Sequence, residues 1–582
     1  MQSFFKIFFA SLLSLVIFSL LAFLLLIWWL VGLASRQMPV VEPHSVLVIN
    51  LAQAFREQEL ASPLSPFSHD DEMDVPGLYD VVRLIHKAKD DKNISGIYIR
   101  ANANPNGFAS NEEIRNALID FKASKKFIIA QGDVISQRAY YVASAADRLY
   151  LNPSGNLEWV GFNVDYFFLK GTLEKLEIEP EIFYAGKFKS ATEAFRTDKM
   201  TPENKLQTTV WLNNLYNDFL LRVSTSRHID TFTLHQLANE AKIQTAQDAV
   251  DNKLVDGLKY DDQVKDEIKS RLGLGKYERI NFISINKYAK TGGFRKTGSD
   301  KIALIYAQGD IIDGNGIQGT IGSEDYVSLI RKARLDRTIK AIVFRVNSGG
   351  GSSLASENIW RELSLAKLEK PVVVSFGDVA ASGGYYISCS ADSIFAEPNT
   401  ITGSIGVFGI IPDMQAFFKN KLGVTFDGVK TGACADAGIF RPLSEKEKEL
   451  IQAEIEKTYQ QFKQRVADGR KKDPGYIDSI AQGRVWSGDD AIKIGLIDRF
   501  GGLDEAIASA ARMARISDYR LREFPEPESI LERIIHPSPA DYSSKIKADI
   551  GESNFEILEE LHRIKSMINI TQARLPFEFI IH

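Results

Sequence analysis

One serine lies in a turn of small residues that could expose its hydroxyl as a nucleophile. Ser382 follows a short apolar run, Val372-Val-Val-Ser, and precedes Gly383-Gly-Tyr-Tyr, where a helical pattern begins. A turn between a strand and a helix presents a hydroxyl, and the free backbone N–H groups at the helix start point towards developing negative charge. Because such turns are more often purely structural, the catalytic interpretation needs support from elsewhere in the chain.

A second glycine-rich loop gives that support. Gly350 and Gly351 belong to the segment Asn347-Ser-Gly-Gly-Gly-Ser, which follows the preceding apolar run, Ala341-Ile-Val-Phe. The backbone N–H groups of such a loop can stabilise an oxyanion. A flexible loop is the alternative, but two glycine turns after neighbouring strands favour catalysis.

The chain restricts the base that could activate this serine. It has eight histidines, and none lies between His235 and His536, so a Ser-His-Asp triad would need a distant partner. Lysine can serve instead if burial or a nearby cation lowers its pKa from about 10.4 to about 7–8. Suitable local patterns occur at Lys187, Lys189 and Lys430. Spacing alone does not choose between Lys189 and Lys430.

The elements that position these residues come from an internal duplication. Lys87 and Lys332 are 245 residues apart and begin a register that continues for most of the chain. Further pairs with this spacing are Ile97 and Ile342, Arg100 and Arg345, Asp133 and Asp378, Tyr140 and Tyr385, and Gly161 and Gly406. Later pairs, such as Leu254 and Leu496, are 242 residues apart, which requires a net deletion of three residues. A register of this length indicates a repeat.

Each copy alternates helical patterns with short apolar runs. The predicted helices are 81–88, 112–121 and 355–368, and the predicted strands are 96–99, 127–130, 341–344 and 372–375. Alternation of this kind predicts an α/β fold with buried parallel strands. The ungapped alignment places Gln137 opposite Ser382 and Arg138 opposite Gly383. The first copy therefore keeps the frame of the serine turn and replaces its centre.

Composition and the N-terminus restrict the class of protein. The 582 residues carry a formal net charge of −5, which gives no basic face for nucleic acid. No charge occurs from Ile7 to Ser35, and this run is long enough to span a bilayer. A cleaved signal peptide is the alternative, but its apolar region is usually only about 7–15 residues. The two cysteines, Cys389 and Cys434, permit one bridge, although two buried thiols are the favoured interpretation. No metal or cofactor is expected.

The sequence resembles the signal peptide peptidase A family in its long, duplicated form, within the crotonase and Clp-protease superfamily. The resemblance covers about Ser45 to Arg520. It rests on the duplication together with the Asn-Ser-Gly-Gly-Gly-Ser loop, Ala-Ser-Gly-Gly-Tyr-Tyr, Thr402-Gly-Ser-Ile-Gly-Val, Phe-Lys-Ser-Ala and Gly483-Arg-Val-Trp-Ser-Gly. Where the family often has Ser-Pro-Gly-Gly, this chain has Ser348-Gly-Gly-Gly, which keeps the N–H donors and loosens the turn.

The resemblance implies a serine peptidase with a serine/lysine dyad split between the copies. Ser382 would be the nucleophile, Lys189 the general base and Ser404 a hydroxyl that orients the lysine. Gly383 and the Gly350/Gly351 pair match the oxyanion positions. The substrates would be remnant signal peptides, the assembly a homotetramer, and the location the bacterial inner membrane, with the catalytic region in the periplasm.

The expected organisation is therefore two crotonase/Clp-protease-like α/β repeats behind one transmembrane helix. The predicted divisions are an anchor at 1–36, a first repeat at 45–286, a linker at 287–301, a second repeat at 302–520, and a tail at 521–582 with an amphipathic helix at Phe555–Ile568. The alternatives are a crotonase-like acyl-CoA enzyme and a non-catalytic membrane scaffold.

Overall fold

The computed structural model describes residues 2–34, 39–58, 74–317, 319–526 and 571–575. The predicted amphipathic helix at Phe555–Ile568 lies outside these residues. Helix α1 spans Gln2–Ala34, and its segment Phe4–Trp29 is long and apolar enough to cross a membrane. None of that segment is buried against the rest of the chain.

The first repeat is a parallel sheet with helices around it. Its strands are β1 Ser45–Asn50, β2 Ile94–Arg100, β3 Phe127–Ile135, β4 Arg148–Leu157, β5 Glu179–Ala185, β6 Gly257–Leu258 and β7 Phe282–Ser284. Its helices are α2 Leu78–Asp90, α3 Phe108–Phe121, α4 Gln137–Ala143, α5 Lys170–Leu176, α6 Glu193–Arg196, α7 Pro202–Arg227, α8 Thr231–Asn239, α9 Ala246–Asp251, α10 Asp261–Leu272 and α11 Ile285–Ala289. In the described chain the sheet has the order β6-β4-β3-β2-β1-β7, and every pair is parallel.

The second repeat has the same plan. Its strands are β8 Asp300–Gln308, β9 Asp310–Ile312, β10 Thr320–Gly322, β11 Ile339–Ser348, β12 Gly350–Ser352, β13 Val372–Ala381, β14 Ser393–Ala396, β15 Ile401–Gly403, β16 Val407–Asp413, β17 Val485–Ser487, β18 Arg499–Phe500 and β19 Tyr519–Phe524, and a last strand, β20, spans Gln572–Arg574. Its helices are α12 Ser323–Leu335, α13 Ser353–Lys367, α14 Gly383–Ser388, α15 Gln415–Phe417, α16 Glu445–Arg470, α17 Pro474–Ile480, α18 Gly488–Lys493 and α19 Leu503–Met513. The main sheet has the order β17-β15-β13-β11-β8-β19. In addition, β14 pairs with β13, and β18 pairs with β14.

The structure confirms the repeat register. The Tyr140 hydroxyl donates to the Leu254 carbonyl at 2.7 Å, and the equivalent Tyr385 hydroxyl donates to the Leu496 carbonyl at 2.8 Å. The consecutive residues Ala341 to Phe344 of the central strand β11 are all buried, so both faces of the strand are covered, as is typical of parallel sheets. The sequence patterns therefore predicted the fold class correctly.

A small third sheet joins the repeats at one edge. Within the described residues its order is β10-β9-β12-β20-β16-β5. Strand β5 belongs to the first repeat and pairs antiparallel with β16 of the second, with Ala185 opposite Val407. The loop that follows β5 therefore lies next to the second repeat.

A buried ion-pair network also connects the repeats. The Arg345 guanidinium in β11 lies 2.8 Å from Glu57 Oε2 and 2.6 Å from Glu113 Oε1, and its side chain is fully buried. Glu113 lies on α3 of the first repeat and also accepts the Leu503 N–H at 3.1 Å. Burial raises the pKa of Glu113 to about 7, although the adjacent Arg345 opposes this shift. Removing the arginine would leave two carboxylates in the interior.

Two segments differ from the predicted divisions. Strand β19 pairs with β8, so the main sheet of the second repeat continues beyond residue 520 into the predicted tail. The predicted linker at 287–301 begins inside α11 and ends inside β8. Cys389 is buried, Cys434 is half-buried, and the two thiols are not bridged.

Candidate active site

Ser382 lies at a strained junction between β13 and α14. Its backbone adopts φ 54° and ψ −114°, a conformation that non-glycine residues rarely occupy and that concentrates at functional sites. The Ser382 N–H donates to the Gly403 carbonyl at 2.8 Å, and its carbonyl accepts the Tyr386 N–H at 2.8 Å. These two bonds hold the turn in place, so the hydroxyl has a fixed position at the start of the helix.

Lys189 reaches this hydroxyl from the other repeat. Its Nζ lies 2.8 Å from Ser382 Oγ, 3.0 Å from Ser404 Oγ and 3.2 Å from the Ser404 carbonyl oxygen. Lys189 follows β5, so the pairing of β5 with β16 delivers it to the serine within one chain. Ser382, Lys189 and Ser404, which lie in three separate segments of the sequence, therefore meet at one point.

The surroundings of Lys189 favour its neutral form. The side chain is only 1% exposed, and this burial lowers its pKa well below the ordinary value. A neutral amine has two N–H donors and one lone pair. The two oxygens of Ser404 can accept the two N–H groups, and the lone pair can accept the Ser382 hydroxyl. The polar groups at the site thus match an unprotonated lysine, which can remove a proton from the serine.

The loop around Lys189 is held by Gln207, a residue that belongs to none of the sequence motifs. Gln207 on α7 donates to the Phe188 carbonyl at 3.1 Å and to Ser190 Oγ at 3.0 Å. The same side chain accepts the Val485 N–H at 3.1 Å. A buried glutamine on a long helix has no local sequence signal, because its importance depends on what packs against it.

Gly483 packs directly against the backbone of Lys189. Its φ is +74°, and a Cβ at this position would lie 2.7 Å from the Lys189 backbone nitrogen and 2.7 Å from Lys189 Cβ. Gly406 is close from another side, where a Cβ would lie 3.1 Å from Lys189 Cδ. Only glycine fits Gly483, because both the backbone conformation and the contact exclude a side chain.

The predicted oxyanion glycines lie together beside Ser382. A Cβ at Gly350 would lie 2.6 Å from the Gly383 backbone nitrogen, and the φ of Gly350 is +101°. The Gly350 N–H donates to Ser348 Oγ at 3.1 Å, so it is already occupied. The remaining N–H groups at this position belong to Gly351 and Gly383. Gly350 therefore contributes space, since a side chain there would block the approach between the two loops.

The other candidate lysines do not reach the serine. Lys430 forms an ion pair with Asp436 at 2.8 Å, and its side chain is 45% exposed. Lys187 is exposed and lies over the Phe188 ring. Of these three lysines, only Lys189 combines burial with contact to Ser382, so the structure separates alternatives that spacing left open.

The equivalent position of the first repeat is closed. Gln137, which aligns with Ser382, donates to the Gly161 carbonyl at 2.8 Å and accepts the Gly161 N–H at 3.0 Å. It also accepts the Val160 N–H at 3.1 Å. The glutamine fills the site with internal hydrogen bonds, which agrees with a repeat that retains the frame and lacks the nucleophile.

Comparisons with known proteins identify the class. The model of peptidase family S49 matches residues 120–275 and again residues 364–517. Protease 4 from Salmonella typhi is 39% identical over 482 residues, which cover 80% of this chain and 76% of that protein. Protease 4 from Haemophilus influenzae is 36% identical over 451 residues, covering 75% of this chain and 72% of that protein. The chloroplastic serine protease SPPA from Arabidopsis thaliana is 35% identical over 444 residues, covering 74% of this chain and 64% of that protein.

The duplicated α/β fold and these matches define a serine peptidase that acts on peptides. The chain belongs to peptidase family S49. The two matched segments fall one in each repeat, which confirms the duplication. The peptidase interpretation is therefore correct, in preference to an acyl-CoA enzyme or a scaffold.

Proposed function

We propose that this peptidase works through Ser382 as nucleophile and Lys189 as general base. The observation that carries the proposal is the 2.8 Å separation of Lys189 Nζ from Ser382 Oγ, with the lysine buried. Ser404 orients the amine through its hydroxyl and its carbonyl. The N–H groups of Gly351 and Gly383 form the oxyanion hole, and Gly350 leaves room for the substrate.

The reaction follows from this arrangement. Neutral Lys189 takes the proton of Ser382 as the serine oxygen attacks the carbonyl carbon of the peptide bond. The oxyanion accepts hydrogen bonds from Gly351 and Gly383, and each such donor is worth about 3–4 kcal/mol in the transition state. The protonated lysine then gives its proton to the leaving amine. Water hydrolyses the resulting ester, with Lys189 again acting as the base.

The proposed division of labour gives each repeat a separate task. The first repeat (45–286) supplies the lysine, and the second repeat (302–520) supplies the serine and the oxyanion glycines. Neither repeat would be active alone, because the dyad depends on the pairing of β5 with β16.

Substrate and location are proposed from the same features. The gap between β12 and β16, beside the site, accommodates one extended strand, and the apolar segment Ile7–Ser35 would anchor the chain in membrane lipid. We propose that the substrates are remnant signal peptides, and that the catalytic region faces the periplasm from the bacterial inner membrane. A homotetramer would enclose these sites. The molar mass of the detergent-solubilised protein by light scattering tests the tetramer, and a monomeric mass would refute it.

The decisive experiment compares two lysines. Lys189→Ala and Ser382→Ala should reduce hydrolysis of an unstructured fluorogenic peptide to background. Lys430→Ala is the matched control, since it removes a lysine that pairs with Asp436 at the surface, and it should keep wild-type turnover. Labelling with a fluorophosphonate should occur in wild type and be absent from Ser382→Ala. Normal turnover by Lys189→Ala in a folded protein would refute the proposed base.

A further inference from the structure

The loop that leads into β17 holds both supports of Lys189 through its backbone. The Phe188 N–H donates to the Gln482 carbonyl at 2.8 Å, and the Ser404 N–H donates to the Arg484 carbonyl at 2.7 Å. Phe188 directly precedes Lys189, and Ser404 accepts hydrogen bonds from the amine of the lysine. The position of the amine therefore depends on this loop, which carries a motif, Gly-Arg-Val-Trp-Ser-Gly, whose arginine has no role in the proposed mechanism.

The side chain of Arg484 lies over two aromatic rings. Its guanidinium carbon is 4.1 Å from the centroid of the Trp486 ring and 5.4 Å from the centroid of the Phe188 ring. The Trp486 ring is fixed in turn, because its Nε1–H donates to the Ile480 carbonyl at 3.0 Å. A planar guanidinium is attracted to aromatic faces and stacks on them. Through these contacts, Arg484 connects β17 to the residue next to Lys189.

Arg484 is half-buried and forms no ion pair within the part of the chain that the structure describes. Its Nε is buried and meets no hydrogen-bond acceptor there, and burial lowers the pKa of the guanidinium. Asp490 opposes this shift, but its carboxylate is bonded to Asn214 at 2.6 Å and lies 3.3 Å from Lys493. A buried donor without a partner is destabilising, so its presence beside the proposed base requires an explanation.

The neutral state of Lys189 supplies that explanation. A carboxylate beside the amine would raise the pKa of the lysine and favour the protonated form, which cannot act as a base. Burial is what lowers the pKa of Lys189, and no carboxylate in the described chain acts against it. An arginine that is paired with aromatic rings adds no negative charge to this environment.

The other groups around the amine are consistent with this arrangement. On the loop of the lysine, Lys187 is exposed, and Glu193 is hydrogen-bonded to the Thr201 hydroxyl. The elements packed against the amine present neutral residues, namely Gln207 from α7, Phe408 from β16, and Ser404 and Gly406 from the loop between β15 and β16. Arg484 is the charged residue of the segment 481–486, so it is the group through which this segment can affect the lysine electrostatically or by exclusion of water.

We propose that Arg484 is a positioning residue that holds the lysine loop and excludes water from it, with Phe188 and Trp486 in place of a carboxylate partner. The inference rests on the proposed Ser382/Lys189 dyad. The aliphatic stem of an arginine can cover an apolar ring while its guanidinium reaches towards solvent. Such a cover keeps the amine desolvated, and desolvation keeps it neutral.

The pH dependence of kcat/KM for a fluorogenic peptide, measured on the full chain in detergent, tests the proposal. Arg484→Ala should move the acid limb of the profile to higher pH by about one pH unit, because water that reaches Lys189 favours its protonation. At neutral pH, kcat/KM should then fall about tenfold. Trp486→Leu, which removes one of the two rings, should move the limb in the same direction. Arg484→Met, whose unbranched side chain still covers the rings, should keep the wild-type limb.

Arg271→Ala is the matched control. The guanidinium carbon of Arg271, on α10, lies 5.7 Å from the centroid of the Phe127 ring, so the variant removes a similar stack from another part of the first repeat. Its acid limb should match that of wild type. The position of the limb also separates positioning from lost stability, because unfolding reduces the amount of active enzyme without moving the limb.

Each other result contradicts the proposal. An unmoved limb in either Arg484→Ala or Trp486→Leu would overturn it and leave the dyad standing. A limb that moves as far in Arg484→Met as in Arg484→Ala would overturn the covering role, and one that moves as far in Arg271→Ala would overturn the link to the lysine. Wild-type turnover by folded Lys189→Ala would refute the dyad itself, and the role of Arg484 with it.

Discussion

Replacing Gly483 by alanine should lower the activity by up to about 10²-fold although both proposed dyad residues are kept. A Cβ at this position would lie 2.7 Å from the Lys189 backbone nitrogen, whereas an ordinary contact is 3.4 Å or more. The two segments must separate by about 0.7 Å, and the atom that must move is backbone and not a flexible side-chain end. The separation of Lys189 Nζ from Ser382 Oγ, now 2.8 Å, would then exceed hydrogen-bonding distance.

The expected loss follows from the effect of such displacements on catalysis. A misplacement of about 1 Å can cost on the order of 10²-fold in rate, equivalent to about 2.7 kcal/mol. Alanine in a left-handed conformation also costs about 1–2 kcal/mol of stability, which lowers the melting temperature whether or not the site is disturbed. The activity loss and the stability loss must therefore be separated.

Gly423→Ala provides the matched control. Gly423 has φ +68°, close to the +74° of Gly483, and a Cβ there meets no atom within 4 Å. Both variants should lose similar stability from backbone strain, but only Gly483→Ala should lose kcat, by up to about 10²-fold. The assay is steady-state hydrolysis of a fluorogenic peptide well below the melting temperature of each variant. Wild-type kcat in folded Gly483→Ala, or an equal loss in Gly423→Ala, would refute the positioning argument.

Three further changes test the buried groups. Activity should fall as pH is lowered through the depressed pKa of Lys189, because protonation removes the base. Lys189→Met should be inactive but no less stable than wild type at neutral pH. The melting temperature of wild type should rise with pH between the pKa of the lysine in the folded state and its pKa in the unfolded state, and Lys189→Met should not show this rise. Gln207→Ala should lower kcat about tenfold with little change in KM, because it frees the loop that carries the lysine; an unchanged kcat would show that the loop is held without it. Arg345→Leu should lose about 3–5 kcal/mol in denaturant unfolding, because Glu57 and Glu113 would remain buried without a cation; a loss below 1 kcal/mol would mean that the carboxylates are solvated or protonated.

Much of the fold follows from local sequence patterns. The apolar runs at β2, β3, β11 and β13 and the helical spacing of α2, α3 and α13 were sufficient to predict an α/β fold, because burial on both faces of a parallel sheet imposes continuous hydrophobicity. Comparison of the two copies then distinguished Ser382 from Gln137. These features depend on neighbouring residues or on self-similarity, and both are visible in a single chain.

Local sequence patterns did not choose the proposed base, although the family resemblance pointed to Lys189. Lys189 and Lys430 have comparable local patterns, and spacing did not separate them. The difference arises from the pairing of β5 with β16, which buries one lysine against Ser382 and leaves the other at the surface with Asp436. The pKa of an amine is set by its desolvation, and desolvation is a property of the packed environment and not of adjacent residues.

The tail shows the same division between sequence and structure. The sequence predicted a tail from residue 521 onwards, outside the two repeats, yet Tyr519–Phe524 completes the main sheet of the second repeat and Gln572–Arg574 pairs with β12. The sequence by itself determined the duplicated α/β plan, the serine turn and the apolar N-terminal helix. Tertiary structure decided which lysine meets the serine and what pairs with β12, because contacts between segments tens to hundreds of residues apart depend on pairing geometry that local periodicity does not encode.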